Sequence, residues 1–255
     1  MELLIPVLFG LIAGLLVNYL SDVLPVQRKL TVPACASCGA DYSWKDYFLF
    51  GACRACAKKR SLRTYLTLVA SLAFSVALWL NPPARLGYWI GFILLAYFGL
   101  VVIIDIEHRL IMHVVSLAGA LLGLLVGSLK YNLMVSLEGG LAGLVIMLIF
   151  YWVGILFARY RARKLGVDDG EEALGFGDVT ISAVIGLMLG FPLVMYGLFL
   201  GVLAGGLFSL GLVAFLMLTR RYESMTVFTA YGPYLVLGAA ILLYFTQILS
   251  IMLGK

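Results

Sequence analysis

Long apolar runs, recurring along the chain with few charges inside them, constrain this sequence more than any other feature. They occupy Leu3–Leu20, Leu62–Leu80, Leu86–Ile104, Leu110–Leu129, Glu138–Ala158, Pro192–Leu218 and Pro233–Leu253. A helix that crosses the hydrocarbon core needs about 20 such residues, each adding a rise of about 1.5 Å. An eighth run, Val179–Gly190, has only 12 residues and ends at Phe191-Pro192. It would cover about 18 Å of a core about 30 Å thick, and joined to the next run it would be far too long for one span. A short helix turning at Pro192 is therefore expected, with Asp178 at its entrance, below the membrane surface. Lipid offers no hydrogen bonds to an exposed backbone, so the expected fold class is an all-α polytopic membrane protein with about eight transmembrane helices. Composition agrees. Hydrophobic residues make up 63% of the 255 and charged residues 12%, against about 45–50% and about 25% in soluble domains.

Eight alternating spans gather the connections containing Cys35–Cys56, Asp105, the 159–177 loop and the 219–231 loop on one face. Fifteen of the 18 lysines and arginines fall there; Arg85, Lys130 and Lys255 fall on the other. Basic connections stay inside the cell, so the first face is expected to be cytoplasmic. The net charge of +5 thus follows membrane sidedness. Membrane lipid, contacted by the basic run Arg159–Lys164, is the expected partner, and nucleic acid is not. Residues 1–20 lack a basic leader region, and Asn18 and Tyr19 stand where small residues would mark a cleavage site; a retained first span is expected. The domain organisation expected is residues 1–20 as the first transmembrane helix, 21–61 as a cytoplasmic insert and 62–255 as the main bundle. Gly139, Gly140 and Gly143, like Gly201, Gly205 and Gly206, are expected to let helices approach closely.

All four cysteines lie in the insert, as Cys35-Ala36-Ser37-Cys38 and Cys53-Arg54-Ala55-Cys56. Two Cys-x-x-Cys pairs separated by a short loop read as a tetrahedral zinc site, each pair forming a knuckle whose turn Gly39 or Gly51 could ease. A reducing cytoplasmic location disfavours the alternative of two disulfides. With four thiolates no ligand position stays open, so the metal is expected to be structural. Trp44, Tyr47, Phe48 and Phe50, between the knuckles, are expected to form a small core or to rest on the bilayer.

Two acids stand at the edges of apolar runs. Asp178 follows Leu174-Gly175-Phe176-Gly177, and Asp105 closes the run that begins near Leu86. An ionisable group at the edge of hydrocarbon is costly and is a functional candidate by default. Two carboxylates near each other in a poorly solvated place can share one proton, one then acting as base toward water and the other as acid. Gly175, Phe176 and Gly177 are the candidate substrate contacts, since the glycines remove side chains where a peptide backbone would need to approach. The plain alternative is that both acids mark helix ends. It fits Asp178 in a first turn better than Asp105, which sits at the wrong end of a helix dipole. His108 and His113 read as interfacial side chains, or else as a proton carrier or metal ligand; no second ligand cluster has metal spacing. Glu107 and Arg109 read as ordinary loop charges, and the acids Asp168, Asp169, Glu171 and Glu172 as a solvated loop.

Taken together, these features resemble the type IV prepilin peptidases, bifunctional prepilin leader peptidases and N-methyltransferases of bacterial inner membranes. The resemblance rests on the first span leading into Asn18 and Pro25, the paired cysteines, Asp105 with its following Leu110-Ile111, Leu174-Gly175-Phe176-Gly177-Asp178-Val179, and Tyr231-Gly232-Pro233-Tyr234-Leu235. The sequence departs from the family pattern at Met112-His113, at Thr180 where a lysine is common, and after Arg63, where no glutamate follows. The resemblance implies that Asp105 and Asp178 are the catalytic pair of a Gly-x-Gly-Asp intramembrane aspartic protease, and that 62–255 is its bundle. It also implies prepilin and pseudopilin substrates with a short basic leader. Methylation of the new N-terminus from S-adenosylmethionine is implied too, the cysteine insert being associated with that activity. Two other classes remain open on the residues alone: an ion-coupled transporter using the two acids, and a non-catalytic scaffold whose zinc module docks a partner.

Overall fold

The computed structural model describes residues 3–83, 86–165, 175–219 and 230–245. The described residues are helical apart from their connections and one isolated bridge, Ala34 with Asp41. In chain order the helices are α1 (Leu4–Gln27), α2 (Trp44–Phe48), α3 (Leu62–Leu80), α4 (Gly87–His108), α5 (His113–Lys130), α6 (Leu133–Leu165), α7 (Phe176–Leu189), α8 (Leu193–Leu218) and α9 (Gly232–Tyr244). Among the described residues six helices are long and apolar enough to cross a membrane, and α7 and α9 are shorter apolar helices. The chain is a multi-pass helical membrane protein. Arg85, Asp168, Asp169, Glu171, Glu172, Leu174, Arg220, Arg221, Lys255 and the expected last span beyond Phe245 lie outside the described residues.

Two boundaries differ from the apolar runs for the same reason. Helix α1 continues to Gln27, past Leu20, and α6 continues to Leu165, so that Arg159–Lys164 is helical and not part of a loop. Hydropathy marks where lipid ends; the backbone keeps its internal hydrogen bonds beyond that point, and lysine and arginine are good helix formers. At the other end of α6 only Tyr131 and Asn132 separate it from α5, and Asn132 Oδ1 accepts a bond from Val135 N–H that starts the helix.

By packing, the chain divides into two compact units, Met1–His108 and Arg109–Lys255. In the first, α3 and α4 pack on α1. Hydroxyls tie the three together: partly buried Ser71 donates to Gly10 O at 2.8 Å, buried Ser75 donates to Pro6 O at 2.7 Å, and Ser75 shares a hydrogen bond with the Tyr88 hydroxyl. Apolar packing gives no advantage of helix over lipid, so such bonds and close backbone approach carry association. The outward residues Leu66, Val69 and Phe74 of α3 are exposed, as a lipid-facing stripe should be.

In the second unit α7 is the hub, touching α5, α6, α8 and α9. Its 14 residues span about 21 Å, less than a bilayer core. Its side chains Ile181, Ile185, Met188 and Leu189 are fully buried. Glycines make this possible. A side chain on Gly186 would run into the Gly139 backbone, and one on Gly143 into Ser182 O. Gly201 and Gly205 face Leu235 and Tyr231 across the α8–α9 contact, as expected, but Gly206 has nothing within 4 Å and packs against no helix.

Candidate active site and metal centre

The cysteine insert is built from two copies of one turn. Gly39 N–H donates to Cys35 O and Ala57 N–H to Cys53 O, each at 2.8 Å; Cys35 N–H donates to Ala40 O and Cys53 N–H to Lys58 O. The residue after each second cysteine is left-handed, at φ +73° for Gly39 and +55° for Ala57. Gly39 eases its turn as expected. Gly51 does not; it lies against Asp46, and the second knuckle forces an alanine into the left-handed region instead.

The four Sγ atoms lie within 4.8 Å of one another. Cys35–Cys56 and Cys38–Cys53 are each 3.7 Å apart, far beyond the bond length of about 2.05 Å of a disulfide. Sulfurs about 2.3 Å from a tetrahedrally bound zinc would be about 3.8 Å apart. The four cysteines therefore fit a zinc ion with no open position. Backbone N–H groups of Ser37 and Cys38 pull the Cys35 thiol down to about 6, and those of Cys56 and Ala55 lower Cys53. Cys38 goes the other way: the Ala40 amide lowers it, but the hydrogen bond with Cys56, burial and the other thiols outweigh that and push it up to about 12. Four thiols this close cannot all ionise without a cation among them. Among the described residues they are the one cluster with metal-ligand geometry, and neither His108 nor His113 joins it.

Behind the knuckles Tyr42 and Tyr47 are buried with Cys35 and Cys53, and Tyr19 and Phe48 pack against them. Trp44 stacks on Phe48 and Phe50 leans on Tyr65. Tyr47 and Phe48 thus belong to the small core expected of them, whereas Trp44 is exposed and Phe50 lies outside that cluster. One set of residues was not singled out by the sequence. Asp22, on α1, accepts from the Tyr47 hydroxyl and pairs with Arg60 at 2.9 Å and with Arg63. Arg63 also donates to Ser21 Oγ at 2.6 Å and pairs with Glu107 Oε1 at 3.0 Å. Burial, then the charge of Asp22, raises the Tyr47 phenol well above its ordinary range, so it remains a donor. The Arg60 guanidinium lies 4.1 Å from the Tyr47 ring centre. A lone acid just beyond the first apolar run was the available signal; its partners stand 38 and 41 residues away.

Asp105 lies in the last turn of α4 and belongs to the first unit. It is only 5% exposed, on the face that also buries Tyr97, Val101 and Ile104. Asp178 belongs to the second unit and is 8% exposed in the first turn of α7, whose N-cap is Gly175. Asp178 N–H donates to Gly175 O at 3.0 Å. Thr180 holds this turn against α5, sharing a hydrogen bond with Ser116 at 3.2 Å while donating to Gly177 O. The space beside Gly177 is taken: a Cβ there would stand 2.8 Å from Ile111 Cβ. Its missing side chain serves packing. Beside Gly175 a Cβ would meet only Asp178 Oδ2 at 3.7 Å and Gly177 N at 4.0 Å, and Phe176 is exposed with its ring against Tyr151.

The fold and site define a class: a multi-pass helical membrane protein with a four-thiol cluster beside its first helix and a buried aspartate on each of two apolar helices. Residues 92–210 match the type IV leader peptidase family. A prepilin leader peptidase/N-methyltransferase of Burkholderia pseudomallei is 30% identical over 248 residues, 91% of this chain and 74% of the relative. One of Aeromonas salmonicida is 32% identical over 207 residues, covering 79% of this chain. The chain spans 64% of the length of that relative. No solved structure matches. The chain belongs to the type IV leader peptidase family.

Proposed function

We propose that the protein is a membrane-embedded aspartic endopeptidase that removes the short basic leader of type IV prepilins and pseudopilins, with Asp105 and Asp178 as its catalytic pair. The observation that carries this reading is the burial of one carboxylate at a helix end in each unit, in a chain of the leader peptidase family. One carboxylate takes a proton from water as the oxygen attacks the peptide carbonyl. The other protonates the carbonyl oxygen, and collapse of the tetrahedral adduct breaks the C–N bond as the amine takes up a proton. Base and acid are roles of the pair. Gly175 and Phe176, open and exposed, are the substrate contacts.

The protein resides in the bacterial inner membrane with both acids and the cysteine insert toward the cytoplasm, a reading supported by the basic residues concentrated in the connections that carry them in the sequence. Zinc held by Cys35, Cys38, Cys53 and Cys56 shapes the insert and takes no part in cleavage. Following its relatives' names, the protein also methylates the new N-terminus. The donor for that chemistry is S-adenosylmethionine. No strand-end crevice for a nucleotide occurs among the described residues, so helices or the insert must supply its pocket.

The test is incubation of the purified protein with a prepilin-like peptide and mass measurement of the products. Replacing either aspartate with asparagine should cut turnover by at least about a hundredfold, the lower range for loss of a general acid or base, while the protein still folds and inserts. Full cleavage by either variant would overturn the mechanism.

A further inference from the structure

We propose that Arg63 and Glu107 are positioning residues for Asp105; the inference rests on the peptidase reading of that acid. Asp105 stands in the last turn of α4, which ends at His108, and Arg109 leaves the helix at φ +50°. The carbonyls of a last turn lack intrahelical partners, and such turns fray. A group that holds Glu107, two residues along, holds the backbone of the last turn that also carries Asp105.

Glu107 is held by a group that cannot follow it. The Arg63 guanidinium lies 3.0 Å from Glu107 Oε1 through Nε, as an ion pair without a linear hydrogen bond. Its other nitrogens are committed to Ser21 Oγ and Asp22 on α1. Asp22 is itself fixed by Arg60 and Tyr47, and Tyr47 is packed among the residues behind the knuckles. A rigid chain of contacts thus runs from the cysteine insert to the end of α4.

The energetics point to placement over stability. The Glu107 side chain is 36% exposed, and a pair whose acid stands that open contributes little to the folding equilibrium. A small misplacement of a catalytic group, in contrast, is felt directly in turnover.

The experiment measures kcat and KM on a prepilin-like peptide for the full chain and for Glu107→Gln, Arg63→Gln, the double variant, and Asp105→Asn as reference. Metal content and melting temperature are read on each. Glu107→Gln should lower kcat about twofold to fivefold, from the size of such a pair, and leave KM, metal content and melting temperature unchanged. The double variant should be no slower than Arg63→Gln alone, because that variant has already cut the link. Full kcat in Glu107→Gln, multiplying losses in the double variant, or a kcat loss matched by lost metal or a lower melting temperature would each overturn the inference. If Asp105→Asn itself cleaves, the peptidase reading fails; if it is dead while Glu107→Gln is unimpaired, the positioning role alone fails.

Discussion

Asp105 and Asp178 are buried almost equally, yet their helices are anchored by different physics. Asp105 ends a 22-residue helix near a network of arginines, carboxylates and a tyrosine, backed by four thiols. Asp178 begins a 14-residue helix held by close packing at glycines, where Gly186 meets the Gly139 backbone and Gly177 meets the Ile111 side chain. The end of the helix explains the contrast. A carboxylate in a first turn lies where the exposed N–H groups favour an anion, and close packing suffices to place it. A carboxylate in a last turn lies against the dipole, and charged neighbours do the orienting. One acid is fixed by shape, the other by charge.

The largest expected effect breaks the shape-held side. Gly186→Leu drives a side chain into the α6 backbone, which has no room to yield, and should destabilise the protein by about 3 kcal/mol or more. Gly206→Leu, facing open space on α8, should change stability by less than about 0.5 kcal/mol. Thermal unfolding in detergent compares them, and equal melting temperatures would remove the contrast between the two regions.

On the charge-held side the metal is the lever. Binding requires four thiolates, and the neighbouring thiols hold the Cys38 proton up to about 12. Zinc must displace that proton, so affinity should rise with pH and weaken as pH falls toward about 6, where Cys35 is protonated as well. Competition with a chromophoric chelator between those limits measures the slope; an affinity independent of pH would exclude thiolate ligation.

The smallest effect tests the second knuckle. Ala57 is left-handed, which strains an alanine by about 1 kcal/mol. Ala57→Gly should stabilise the insert by about 0.5 kcal/mol, since the freedom added to the unfolded chain offsets part of the gain. Gly39→Ala should do the opposite, both read as resistance to chelator-induced unfolding.

Helix positions were legible because lipid requires a run of apolar residues and an internally bonded backbone; Leu62–Leu80 was read to the residue. The shortness of α7 followed from the same counting, and the knuckles from the spacing of their cysteines. Runs could not show where helices stop beyond lipid, as Arg159–Lys164 shows in α6. Nor could they separate Gly201, which packs on α9, from Gly206, which packs on no helix. Glu107, read as a loop charge, proved to be one partner in the network of Asp22, Arg60 and Arg63.

What the sequence determined by itself was therefore everything governed by the solvent: a helical chain for lipid, two acids at the edges of apolar runs, and a four-thiol insert. Tertiary structure alone decided which charges meet and which glycines are indispensable. Solvent preference is a property of each stretch on its own, whereas an ion pair or a close approach depends on two stretches brought together from far along the chain.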